Sequence, residues 1–81
     1  MTRADVEATV RGVLETALSR PIASGEDVRR EQEPGWDSVK HIEVLFMIEE
    51  ELDIAFAPDE IAALDSLPAI VERAAAHVDA G

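Results

Sequence analysis

Ser38 stands in the stretch Gly35-Trp36-Asp37-Ser38-Val39, directly ahead of a strongly amphipathic run. A serine hydroxyl there can be a nucleophile, a cap or an attachment point. Nucleophilic catalysis requires a base, an orienting acid and oxyanion donors. His41 and His77 are the only histidines, and Gly35-Trp36-Asp37-Ser38 supplies Gly-x-x-Ser in place of the Gly-x-Ser-x-Gly elbow. His41 falls on the inward side of the following helix, as a structural residue, and His77 suits a helix C-terminus. No catalytic residue is assigned. A hydroxyl at a helix entrance is better placed as a handle, because free N–H groups and the macrodipole favour an attached anion there.

The other candidate chemistry is weaker. The chain has no cysteine, which removes disulfides and thiolate metal sites. Its acids do not form the Asp-x-Asp-x-Asp-Gly loop of an EF-hand. Divalent cations at Glu49–Asp53 or at Asp59 and Glu60 would be incidental, and no metal site is expected.

The elements that must position Ser38 follow from periodicity. Val6, Val10, Val13, Leu14, Ala17 and Leu18 recur at helical spacing and predict a first helix over 3–19. Thr2 is its N-cap, Arg20 suits its negative end and Pro21 follows. Residues 20–37 form a long connection punctuated by Pro21, Ser24, Gly25, Pro34 and Gly35, with Ile22, Val28 and Trp36 as candidate anchors. Trp36 is expected to pack over this loop. A second helix spans 38–52, capped by Asp37 or Ser38. It carries two apolar stripes. His41, Val44, Leu45, Ile48 and Leu52 are assigned to the core. Val39, Ile42, Phe46 and Met47 lie beside them, bordered by Glu43, Glu49, Glu50 and Glu51. An ordinary surface helix needs only one stripe, so the second calls for a wide core or a partner. Pro58 precedes a short helix over 59–64, and Ser66 caps a last helix over 67–78 with Leu67, Ile70, Val71, Ala74 and Val78 inward. Asp79-Ala80-Gly81 is expected to fray. The fold class is all-α: one domain over 1–81, a small antiparallel bundle of three main helices and one short one.

Composition limits function. A chain of 81 residues forms one small domain with little room for a substrate cavity. Its formal charge is −11, with residues 41–81 carrying ten acids and only Arg73 as a base. That field repels nucleic acid and anionic membranes and favours basic protein surfaces. No apolar run reaches membrane-span length and no signal-peptide pattern opens the chain. Cytoplasmic residence and a monomer are expected. Met1 and the short ends suggest a free-standing protein.

Gly35-Trp36-Asp37-Ser38-Val39, followed by the helix ending Met47-Ile48-Glu49-Glu50-Glu51-Leu52, resembles the acyl carrier protein and peptidyl carrier protein family. The likeness covers the whole chain: first helix, long loop, Asp-Ser at the second helix, acidic stretch, short third helix and final helix. It implies that Ser38 accepts 4′-phosphopantetheine from coenzyme A, with Asp37 in a supporting role. It also implies partners: a phosphopantetheinyl transferase using Mg²⁺, an acyl- or aminoacyl-loading ligase or transferase, and downstream synthase or tailoring enzymes. The recognition helix would present Val39, Ile42, Glu43, Phe46, Met47, Glu49 and Glu50. Val39 stands where the family most often has leucine, which conserves polarity. Lys40 and His41 depart from residues that are often acidic or small. With Trp36, they incline the resemblance toward polyketide, nonribosomal peptide or related secondary metabolism. The alternatives are a fatty-acid synthesis carrier and an unmodified acidic helical interaction module.

Overall fold

In the computed structural model, which describes residues 2–80, the inward stripes become the facing sides of a helical bundle. Four α-helices occupy Arg3–Leu18 (α1), Ser38–Leu52 (α2), Pro58–Ile61 (α3) and Leu67–Ala80 (α4), with no strand among the described residues. α1 packs against both α2 and α4. Val6, Val10 and Leu14 from α1, Val44 and Ile48 from α2, and Ile70 and Ala74 from α4 are fully or almost fully buried at the centre.

Each boundary has a local cause. The Thr2 hydroxyl accepts from the Asp5 N–H at 3.2 Å, and the Asp5 carboxylate accepts from the Thr2 N–H at 3.0 Å. This reciprocal box satisfies two otherwise free donors. Ser19, in the left-handed conformation at φ 54°, closes α1 through an N–H bond to the Glu15 carbonyl. Arg20 does not serve the helix end as expected. Its guanidinium turns into the connection and bonds Glu33 at 2.6 Å and Glu26 at 2.7 Å. Two carboxylates outcompete the partial charge of a helix terminus.

The connection from α1 to α2 is pinned rather than loose. Ile22, Val28 and Trp36 are buried. Glu15 accepts from the Ile22 N–H at 2.8 Å and Glu7 from the Gly25 N–H at 3.2 Å. Arg29 and Ser66 form an isolated antiparallel bridge. The Arg30 N–H donates to the Asp65 carbonyl at 2.9 Å, and the Leu67 N–H to the Val28 carbonyl at 2.8 Å. A 3-10 turn over Arg30–Gln32 follows, which helical periodicity did not reveal.

α3 begins one residue early and stops three short of the expected 59–64. Pro58 sits in the first turn, and beyond Ile61 the chain tightens into i→i+3 bonds, Ala63 N–H to Glu60 and Leu64 N–H to Ile61. Glu60 ties α3 to α4 by pairing with Arg73 and with His77 Nε2, the latter at 3.1 Å. Ser66 caps α4, its hydroxyl accepting from the Ala69 N–H at 3.2 Å. α4 then runs past the expected end: Asp79 is helical rather than frayed, and the element extends to Ala80. Gly81, like Met1, lies outside the described residues. No helix among the described residues is long and apolar enough to cross a membrane.

Candidate functional site

Asp37 and Ser38 occupy the entrance of α2, and both are exposed. Asp37 is the N-cap, its carboxylate accepting from the Lys40 N–H at 2.8 Å. Capping by Asp37 leaves Ser38 as the first helical residue, with its hydroxyl free of capping duty. That hydroxyl instead accepts from Arg30 Nη2 at 3.2 Å. Arg30 Nε points at the Trp36 carbonyl, 3.4 Å away. Arg30 was not singled out from sequence. Its only signal there was a base in an aperiodic stretch of an acidic chain.

Behind the entrance lies a buried polar contact. Trp36 is 2% exposed and His41 is 3% exposed. The Trp36 indole N–H donates to His41 Nδ1 at 3.0 Å, and His41 Nε2 lies 2.8 Å from the Ile61 carbonyl. Since Nδ1 accepts, the ring proton belongs on Nε2, which donates to Ile61. The connection, α2 and the end of α3 are thus joined through one imidazole. Both ring nitrogens are engaged, so His41 has no lone pair to offer Ser38. His77 is held at Glu60 and stands edge-on to Phe56, with ring centroids 5.5 Å apart. Neither histidine forms the Ser–His hydrogen bond that a hydrolase requires.

The two stripes of α2 separate cleanly. His41, Val44, Leu45, Ile48 and Leu52 are buried, whereas Val39, Ile42, Phe46 and Met47 are 69%, 56%, 59% and 37% exposed. The second stripe therefore does not widen the core. It runs away from Ser38 along the solvent side, with Glu43, Glu50 and Glu51 exposed beside it. Lys40 Nζ lies 3.4 Å from Glu43.

Glu49, expected among the recognition residues, is half-buried and engaged within the fold. Its carboxylate accepts from the Phe56 N–H at 2.7 Å and is part-buried. The chain leaves α2 through Asp53, a left-handed C-cap at φ 54°, and doubles back along the last turn. Phe56 is thereby brought into the core with its N–H facing Glu49. An otherwise unpaired buried N–H is costly, so Glu49 serves this connection.

No group of three or more metal-ligating side chains occurs among the described residues. A surface recess of about 480 Å³ lies elsewhere, lined by Ala4, Glu7, Gly25, Leu67 and Val71 among others, and does not include Ser38. The chain matches no protein-family model, no curated protein and no solved structure.

Proposed function

We propose that the protein is an acyl or aminoacyl carrier that holds a biosynthetic intermediate as a thioester on 4′-phosphopantetheine joined to Ser38. The observation that carries this reading is an exposed, non-capping hydroxyl at the start of α2, continuous with an exposed apolar stripe edged by carboxylates. A carrier needs no base or cleft of its own. It needs an accessible attachment atom on a rigid element and a surface that partners can find.

The attachment forms one bond from Ser38 Oγ to the phosphorus bearing pantetheine in coenzyme A. The bond from that phosphorus to the bridging pyrophosphate oxygen breaks. Adenosine 3′,5′-bisphosphate leaves, and the hydroxyl proton passes to a base on the transferase. The bound group supplies a terminal thiol on a long tether. Ser38 supplies the oxygen, α2 fixes its position, and Asp37 holds the first turn in shape. Val39, Ile42, Phe46 and Met47 provide contact area, while Glu43 and Glu50 speed encounter with basic partners. Loading enzymes and downstream synthase or tailoring enzymes would use the same face. Secondary metabolism is the favoured setting, on the likeness of residues around the motif.

Intact mass after incubation with coenzyme A, Mg²⁺ and a broad-specificity phosphopantetheinyl transferase tests the reading. The wild type should gain one phosphopantetheine and Ser38→Ala none. Failure to gain mass with several transferases favours the unmodified interaction module, which the exposed stripe of α2 would equally serve.

A further inference from the structure

Ser38 and Arg30 present a charge problem and its answer. Modification would place a phosphodiester anion beside the Asp37 carboxylate, on a chain already at −11. A second negative charge next to an N-cap aspartate is unfavourable without a cation. Five of the seven basic side chains, Arg11, Arg20, Arg29, Lys40 and Arg73, lie within 4.0 Å of carboxylates. Arg30 has no such partner among the described residues, although acids outnumber bases 18 to 7. Its Nη2 rests instead on the attachment hydroxyl itself, at 3.2 Å.

The mounting of Arg30 matters as much as its charge. Its backbone is held by the Asp65 carbonyl at 2.9 Å, next to the Arg29–Ser66 bridge, and its Nε is directed at the Trp36 carbonyl. The guanidinium is therefore delivered from the first residue of the 3-10 turn, whose N–H is held by Asp65, and is braced through Nε. Its Nη2 is directed at Ser38 Oγ. A planar fork in that position suits two oxygens of a phosphate ester, in a way that a lysine ammonium cannot reproduce.

We propose that Arg30 is the anion-binding residue of this site: its guanidinium receives the phosphodiester formed on Ser38 and restrains the root of the arm. The inference rests on the carrier reading. Before modification Arg30 donates to the hydroxyl oxygen. After it, the same donors would serve the non-bridging phosphate oxygens. The serine and the phosphate then stay fixed near α2, and the swinging length begins beyond the phosphorus.

The test compares modified wild type, Arg30→Ala and Arg30→Lys, with circular dichroism as the folding check. Phosphorus-31 NMR reads the attachment directly. In the wild type, the phosphorus resonance should differ from that of Arg30→Ala in position and relax as a restrained group. The Arg30 side-chain nitrogen signals should shift on modification. Arg30→Lys should restore the charge but only part of the restraint. Uptake of the group by Arg30→Ala should be slower by about tenfold, the weight of one charge-assisted hydrogen bond at a half-exposed site. If wild type and Arg30→Ala are both modified and show the same phosphorus shift and relaxation, the cradle is wrong and the carrier reading stands. If the wild type takes up no group from any transferase, both fall together.

Discussion

His41 shows how a polar residue beside a candidate site can belong to the fold. Its ring takes the Trp36 N–H on one nitrogen and gives a proton to Ile61 on the other. His41→Phe removes both ring nitrogens and leaves a buried indole N–H and a carbonyl unsatisfied. Urea unfolding should show a loss of about 1–3 kcal/mol. Ser38→Ala, an exposed change, should stay within about 0.5 kcal/mol of the wild type. Nitrogen-15 shifts of the His41 ring should report the proton on Nε2. A proton on Nδ1 would contradict the contact with Trp36. Glu26 gives a second expectation at this scale. The Arg20 guanidinium, together with the Ala23 N–H, holds its carboxyl below the ordinary value of 4.5. The unfolded chain then binds the proton more readily than the folded one, so this contribution is complete above that value and fades as pH falls through the lower folded value. Acid titration of Glu26→Gln should show a shallower loss of stability below about pH 4.5 than the wild type.

At the scale of the element, α2 carries one buried apolar stripe and one exposed one. Leu45 is 3% exposed and Phe46 is 59% exposed. Leu45→Ala should cost about 2–5 kcal/mol through the cavity it leaves. Phe46→Ala should leave stability within about 0.5 kcal/mol yet slow a partner-dependent step. Glu43→Lys and Glu50→Lys should likewise slow transfer while helicity is kept; equal rates in low salt would remove the idea of a recognition face. Glu49→Ala belongs with Leu45, because it frees the Phe56 N–H, and thermal unfolding should shift downward. The two stripes of α2 were legible from periodicity, and Asp37 was readable as one of two candidate caps. The fate of Glu49 was not, because it depends on how the chain turns after Asp53. Arg30 was equally hidden. It is placed by the pairing of residues 29–30 with 65–66, a contact between remote segments that local spacing does not encode.

Across the whole molecule, charge and rigidity are distributed differently. The second half carries almost all the net negative charge, while the first half supplies most of the bases and the braced connection. If the proposed carrier role holds, association with a basic partner enzyme should slow steeply as salt rises, since encounter between exposed charges is screened beyond about 10 Å at 0.1 M. A rate independent of ionic strength would argue for docking through the apolar stripe alone. One feature of the connection has a practical use. Trp36 is the sole tryptophan of the chain, enclosed two positions before Ser38 and bonded to the imidazole that links α2 to α3. All indole emission thus comes from a single place immediately behind Ser38. A partner that levers α3 away from α2 would wet that indole and redden its fluorescence, whereas one that merely rests on the outer face would leave the colour unchanged. The unlabelled protein therefore carries an optical gauge that distinguishes prying from perching in a stopped-flow trace.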